Sequence, residues 1–463
     1  MRTFTKFPHT LLFEVKVINL QSKSLFYSID FMSAALTDSA NSTLMTGVTA
    51  RQMHGHSLEH RQDLLPPLRI TECAAMARPG YVSEKSHEYL DDATTLRVKV
   101  RQVVALLKQS RNPLVYTGAG ISTASGVADY ASEAAGNKSV ISSMRRRKMS
   151  PWEAQPSLAH RVLAKVHAQA VSQVTDINPF VWVQQNHDGL PQKAGFPQEW
   201  LNEIHGAWYD PSNPVVPMTG SLRSDLFSWL EFLEDVSDFT LVLGTSLSGM
   251  NADRLVTTVS EKSLKEVPEA LGSVIVSLQR TSLDHLSAVR IYATIDDFAT
   301  MLCQELGLSV PIEQVPQVYQ IRYAAAPDKG LKKQFQQQQQ EEEKVGVFEG
   351  AENKSLAWSG EDVFEIPYDA VSGIRADHSG QASTAKMILD LREGSTVKLA
   401  IGLHKGDLGE VVGRDRQGHF EIIFQHKLKN TSKITRPFMR KLGAWWVEAA
   451  LAGRVDQMPI INA

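Results

Sequence analysis

Pro113-Leu-Val-Tyr-Thr-Gly-Ala-Gly-Ile-Ser-Thr-Ala-Ser-Gly-Val-Ala-Asp-Tyr130 is the stretch that decides the fold. Its first four residues make a short apolar run of the length a buried strand needs. Upstream, Val103, Val104, Leu106 and Leu107 recur at helical spacing within Arg101–Ser110, which predicts a helix leading into the strand. Downstream, Thr117-Gly-Ala-Gly-Ile-Ser turns the chain, and Thr123 or Ser125 is expected to cap a following helix. Strand, glycine turn and helix start form the arrangement that accepts a pyrophosphate. Gly118 and Gly120 permit close backbone approach, and free N–H groups at a helix start attract an anion. Alone, the turn suits an ordinary tight bend equally well. It also lacks the third glycine of the dinucleotide fingerprint, which argues against an ordinary dehydrogenase.

Outward from this stretch, residues 85–310 alternate apolar runs with amphipathic stretches and turn signals, the pattern of an α/β domain with a parallel sheet. Residues 1–84 show short apolar stretches without a period and read as a poorly ordered extension or an adapter. Residues 311–345 form a linker. Its run Gln336–Gln340, followed by Glu341, Glu342 and Glu343, offers no apolar face and suits a solvated helix or a disordered segment. Residues 346–463 look β-rich. Asp362-Val-Phe-Glu-Ile-Pro, Ser395-Thr-Val-Lys-Leu-Ala-Ile, Gly409-Glu-Val-Val-Gly and His419-Phe-Glu-Ile-Ile-Phe read as short strands of a small barrel or meander. A short amphipathic helix around Trp445 and Trp446 is expected to close the chain.

Bulk composition narrows the function classes. The net charge of -3 gives no general attraction to nucleic acid or to an anionic membrane. The run Arg145-Arg-Arg-Lys148 reads as a solvated loop face. Two cysteines, Cys73 and Cys303, cannot build a disulfide framework, which fits a reducing compartment. No apolar run reaches the ~18 residues of a membrane-spanning helix. Met1 to about Gln62 is poor in acid and rich in Ser and Thr, like some organelle transit peptides, but it lacks their arginines and carries Glu14 early. An intracellular setting, nuclear or cytoplasmic, is the expectation.

Further motifs follow the glycine turn in a fixed order. They are Pro156-Ser-Leu-Ala-His160, Gln185-Asn-His-Asp-Gly-Leu-Pro-Gln-Lys-Ala-Gly195, Leu201-Asn-Glu-Ile-His-Gly206 and Leu241-Val-Leu-Gly-Thr-Ser-Leu247. With the Thr117–Tyr130 string, this set resembles the sirtuin family, and its spacing is most similar to the branch of nuclear, histone-directed sirtuins. The resemblance covers about half the chain and neither end.

That resemblance implies a Rossmann-like parallel sheet with a reduced second lobe, followed by the small β-rich C-terminal domain. It implies NAD as cofactor and a protein deacylase that passes the acyl group of an acyl-lysine to ADP-ribose and releases nicotinamide. His205 matches the catalytic base, and an imidazole suits proton abstraction near neutral pH. Asn186 and Asp188 match the residues lining the ribose and nicotinamide pockets, where an amide and a carboxylate supply donors and acceptors. Asn-x-Asp-Gly is also good turn chemistry in its own right. Gly118, Ala119, Gly120 and Ile121 match the phosphate turn, and Gly244, Thr245 and Ser246 the adenosine end. Gln185, Asp129 and Tyr130 match further cofactor contacts. The expected partner is an acylated protein, with histone as a candidate, and the C-terminal module is a loose candidate for binding protein or nucleic acid.

Three departures from the family pattern stand out. The family's Pro-Asp-Phe-Arg is Ala128-Asp-Tyr-Ala131, so the arginine that helps hold the cofactor loop is lost. No cysteine lies between His205 and Gly244, which rules out a tetrahedral thiolate zinc site there. In its place Tyr209-Asp-Pro-Ser-Asn-Pro-Val-Val-Pro reads as an extended, proline-stiffened loop, with Val215 and Val216 where the substrate-clasping strand of the family lies. The asparagine expected near the adenine ribose is Gln279, which keeps an amide. His187 is unusual within its motif. These losses leave NAD hydrolysis, ADP-ribosyl transfer and a non-catalytic NAD-binding scaffold as alternative readings.

Overall fold

The computed structural model describes residues 43–73, 76, 84–127, 151–217, 220–311, 362–378, 386–425 and 437–463. Asp129, Tyr130, Ala131, the Arg145–Lys148 run and the Gln/Glu linker lie outside the described residues. Among the described residues no helix is long and apolar enough to cross a membrane.

From Thr43 the chain builds β1 (Thr43–Leu44), α1 (Ala50–His54), β2 (Leu68–Thr71) and β3 (Glu88–Leu90), and the three strands form a small antiparallel sheet. The central domain follows. Its elements are α2 (Ala93–Gln109), β4 (Pro113–Thr117), α3 (Leu158–Val171), β5 (Val181–Gln184), α4 (Leu190–Lys193) and β6 (Leu201–Glu203). Then come α5 (Ser224–Val236), β7 (Phe239–Leu243), α6 (Arg254–Leu264), β8 (Gly272–Val276), β9 (Val289–Ile291) and α7 (Ile295–Glu305).

The six strands β4 to β9 pair in parallel in the order β6-β5-β4-β7-β8-β9. Side chains alternate between two cores. Val115, Trp182, Leu241 and Val274 face α2, α3 and α7, whereas Leu114, Tyr116, Val183, Val242 and Ile275 face α5 and α6. Burial on both faces explains why these strands read as continuous apolar runs. The strand order reverses direction between β4 and β7, which opens a crevice at their carboxyl ends.

The described residues of 43–73 and 84–90 pack against the central domain. Backbone bonds from His56 to the Ser287 carbonyl (2.9 Å) and from Tyr89 to the Leu278 carbonyl (2.8 Å) tie them to the edge of the domain. The fully buried Lys99 ammonium is bonded to both oxygens of Asp91 at 2.7 and 2.9 Å and to the Met53 carbonyl at 2.9 Å. Periodicity alone did not show this, because the anchor is a buried ion pair and not an apolar stripe.

The C-terminal unit contains β10 (Val363–Ile366), β11 (Met387–Asp390), β12 (Thr396–Leu399), β13 (Leu408–Arg414), β14 (Phe420–Gln425), β15 (Phe438–Leu442), α8 (Ala444–Leu451) and β16 (Ile460–Asn462). β10 pairs with β11, and the other strands form an antiparallel sheet in the order β15-β14-β13-β12-β16. The helix expected at Trp445 is present, but β16 follows it and pairs with β12.

This unit packs directly on the loop after β6. Tyr209 is buried in its core, with ring centroids 4.7 Å from His419 and 5.1 Å from Trp445. The Gly443 N–H donates to the Tyr209 carbonyl at 2.9 Å, and Gly402 approaches Ser212 so closely that a Cβ would lie 2.1 Å from the Ser212 carbonyl oxygen.

Candidate active site

The motif residues gather at the carboxyl edge of the parallel sheet. Gly118 follows β4, Gln185 follows β5, His205 lies two residues beyond β6, Gly244 follows β7, and Gln279 stands three residues beyond β8. Five consecutive strand ends therefore contribute, as the crevice rule for open α/β sheets requires.

The glycine turns interlock. The Gly118 N–H donates to the Leu243 carbonyl (3.1 Å) and the Gly120 N–H to the Gly244 carbonyl (2.8 Å). A Cβ at Gly118 would sit 2.7 Å from Thr245 Cβ, and one at Gly120 would sit 2.7 Å from Gly244 Cα. Close backbone approach thus explains these glycines, but the neighbour they admit within the chain is the opposite turn. Gly244 also has a φ of +63°, which favours glycine.

Ala119–Ser125 is a single 3-10 segment ending at Gly126, with no side-chain cap at its start. The expected Thr123 or Ser125 cap is therefore corrected: Thr123 Oγ1 donates back to the Gly120 carbonyl at 2.9 Å. Ile121 is buried in the core beneath the turn.

Asn186 and Asp188 share one partner that motif reading passed over. Asn186 Nδ2 donates to the Gly118 carbonyl at 3.1 Å and to Ser122 Oγ at 3.0 Å, and Ser122 Oγ donates to Asp188 Oδ2 at 2.7 Å. Asp188 Oδ1 accepts the Leu190 N–H at 3.1 Å. Burial raises the Asp188 pKa, opposed by the Ser122 and Leu190 hydrogen bonds. Gln185 is held differently. Its side-chain amide donates to the Tyr116 hydroxyl, which donates to Asp253 Oδ1 at 2.9 Å. Asp253 Oδ2 in turn accepts the N–H groups of Gly249 and Met250, so Gln185 is linked to the loop after Ser246. Thr245 Oγ1 lies 3.5 Å from Gln185 Oε1, and Ser246 Oγ donates to Ser248 Oγ at 3.2 Å. Gln279 is fixed through its backbone, with its carbonyl accepting from Arg290 and its N–H donating to Ser277 Oγ at 3.2 Å.

His205 is half-buried, and its carbonyl accepts the Val216 N–H at 2.9 Å. Gly206, at φ +100°, lets the chain fold back: a Cβ there would lie 2.4 Å from the Pro214 carbonyl oxygen. His187 Nδ1 lies 2.9 Å from the Gly206 carbonyl oxygen, so this nitrogen carries the proton. The same residue's carbonyl accepts the Trp208 N–H at 2.9 Å. His187 thus ties the Asn186–Asp188 turn to the His205 loop.

The segment after Tyr209 is not extended, contrary to its proline-rich reading. Asp210 Oδ1 accepts the Ser212 N–H (2.8 Å) and hydroxyl (2.6 Å), Arg223 Nη1 lies 3.1 Å from Asp210 Oδ2, and the Asn213 side chain reaches the Glu203 carbonyl at 2.9 Å. An Asx-type turn overrides the stiffness of the prolines. Only from Pro214 does the chain run out beside His205. Glu203 beneath it is buried, and that burial lifts its carboxyl pKa to about 8.

No family model matches the chain. Curated relatives do. The mouse NAD-dependent protein deacetylase sirtuin-7 is 27% identical over 304 residues, which cover 56% of this chain and 71% of that protein. The Arabidopsis thaliana NAD-dependent protein deacetylase SRT1 is 25% identical over 269 residues, covering 48% of this chain and 52% of its own. The Saccharolobus solfataricus NAD-dependent protein deacetylase is 27% identical over 236 residues, covering 40% of this chain and 88% of its own. A solved structure described as Sir2-p53 peptide-NAD+ is 24% identical, covers 45% of this chain and 98% of its own, and has a TM-score of 0.35. The ordered motifs and the sequence relatives agree: over about half its length the chain is similar to proteins of the sirtuin family.

Proposed function

We propose that the protein is an NAD-dependent protein lysine deacylase with His205 as its base. The observation that carries the reading is the Ser122-centred bond network, which holds Asn186 and Asp188 against the Gly118 turn, with His187 joining that turn to the His205 loop. NAD fits the residues present: the paired turns stand at the strand crossover where open α/β sheets hold dinucleotides, and the Asn186 amide oxygen and Asp188 carboxylate suit a carboxamide and ribose hydroxyls. When bound, NAD supplies the ribose carbon that receives the acyl oxygen as nicotinamide leaves.

The chain's own residues do the rest. The backbone of Gly118–Ile121 and Gly244–Ser246 positions the phosphates and adenosine, with the Gln279 amide toward the ribose. Asn186 and Asp188 orient the nicotinamide ribose. His205 accepts a proton from a ribose hydroxyl, a task that suits an imidazole near neutral pH. Asp129 and Tyr130 are assigned to the cofactor by motif position, and Tyr130 keeps an aromatic ring where the family has phenylalanine. Ala131 offers no charged contact, so turnover is expected to be slower than in relatives that carry the arginine.

The partner on this reading is an acyl-lysine protein, with histone the leading candidate because of the likeness to the histone-directed branch. The setting is intracellular, nuclear or cytoplasmic. The test is product analysis by mass spectrometry after incubation with NAD and an acetylated histone peptide. Acyl-ADP-ribose is the expected product, and it should vanish in His205→Ala with the fold retained. ADP-ribose alone would instead favour NAD hydrolysis on the same scaffold.

A further inference from the structure

A cavity of about 550 Å³ lies where the His205 loop meets the C-terminal unit, within the size range of small-molecule and side-chain pockets. Its central-domain wall includes Trp152, Trp208 and Val215, and its C-terminal wall includes Arg416, Met439 and Arg440. Trp152, Val215 and Met439 are 39%, 42% and 52% exposed, so three of the large apolar side chains left uncovered in the described residues converge on one place. Trp152 and Trp208 stand 4.9 Å apart between ring centroids, leaving a rigid aromatic wall.

The charges are unevenly matched. On the C-terminal wall Asp415 and Glu421 both engage Lys441, at 2.7 and 3.2 Å. Arg440 is half-buried 4.9 Å over the Phe438 ring, and among the described residues no carboxylate is paired with it. Burial lowers its pKa. Arg416, exposed on the turn between β13 and β14, likewise has no carboxylate paired with it among the described residues. The acid that remains, Glu153, is exposed on the opposite domain.

We propose that this cavity receives the substrate chain beside the acyl-lysine and selects a bulky apolar side chain next to a carboxylate. This rests on the deacylase reading above. The Val216 N–H is bonded to the His205 carbonyl, so Val215, next to that bond, and Trp208, three residues after the base, flank it on the two sides of the fold-back. A polypeptide whose acyl-lysine reaches His205 must continue past them. The aromatic wall supplies the apolar contact, and the two guanidinium groups supply charge-assisted bonds to a carboxylate. The C-terminal unit thereby acts as a specificity wall.

The test uses the full chain and fluorescein-labelled acetyl-lysine peptides flanked on both sides by Leu-Glu, Leu-Lys or Gly-Ser. Fluorescence anisotropy should show the Leu-Glu peptide binding roughly tenfold tighter than the Gly-Ser peptide, the size expected of charge-assisted contacts. The R416E/R440E variant should prefer Leu-Lys, and R416E alone, an exposed change, should shift the ranking the same way. Equal binding of all three peptides, or a ranking that neither variant changes, overturns the proposal. Nicotinamide release from NAD is followed in parallel with the wild-type chain. A flank preference in binding without release under any peptide would support the cavity assignment while contradicting the deacylase reading.

Discussion

The Tyr209 ring packs 5.1 Å from the Trp445 ring, joining the loop that carries His205 to the last helix of the C-terminal unit. Gly189, next to Asp188, completes the contact. A Cβ there would meet Tyr209 Cδ2 at 2.6 Å and Trp445 Cη2 at 3.3 Å, and its φ of +66° also favours glycine. Both segments proposed to carry the catalytic groups therefore rest on the C-terminal unit, in a chain with no cysteines for a zinc lobe between His205 and Gly244.

Removing that support should be costly. Trp445→Ala is expected to lower stability by about 3–5 kcal/mol, as large aromatic truncations in cores do. Urea unfolding of the full chain measures it. Nicotinamide release should fall further than NAD affinity, because the disturbed groups are Asp188 and His205 and not the glycine turns. An unchanged unfolding midpoint would contradict this account.

Ser122→Ala tests the shared partner of Asn186 and Asp188. It removes the hydroxyl that donates to Asp188 and accepts from Asn186. A lost hydrogen bond to a charged group corresponds to roughly 1.5–3 kcal/mol, so kcat should drop about 10- to 100-fold. Steady-state nicotinamide release decides it, and a rate within twofold of wild type would remove Ser122 from the site.

Glu203 predicts a pH signature. Its folded pKa is about 8 against an ordinary 4.5, mainly through burial. Between those values the folded chain holds a proton that the unfolded chain has released. The contribution is thus fully present below about 4.5 and is lost as pH rises toward 8. Wild type minus Glu203→Gln should show stability falling by up to about 1.4 kcal/mol per pH unit in that window. Denaturant titrations from pH 5 to 8 read this difference, and a flat one counts against a buried, protonated Glu203.

Much of this was legible in the residues. β4 and the Gly118 turn follow from an apolar run ending in glycines, and β10, β12, β13 and β14 from alternation between turn residues. β11 alternates too, with Met387 and Leu389 buried and Ile388 exposed, and was passed over. The Tyr209 turn was misread because local prolines suggested stiffness, whereas Asp210, Ser212 and Arg223 settle its path through side-chain bonds. Docking of Trp445 on Tyr209 and the Lys99–Asp91 anchor join residues through tertiary contacts that leave no period in the sequence.

That anchor is itself testable. Lys99→Met leaves the buried Asp91 carboxylate without its ammonium partner and should cost about 3–5 kcal/mol, whereas adding Asp91→Asn should recover a large part of the loss. Additive single and double variants in chemical denaturation would show that the two charges do not act as a pair.

A chelator should leave the thermal midpoint of the full chain unchanged, since no cysteine is available between His205 and Gly244 to hold a structural zinc. A marked drop would reveal a metal held by other ligands.

Nicotinamide release from NAD, compared with and without an acetylated histone peptide, is the most direct test of the central claim. The account predicts release that depends on the peptide and is lost in His205→Ala. Release that ignores the peptide, or NAD binding with no release at all, would contradict it.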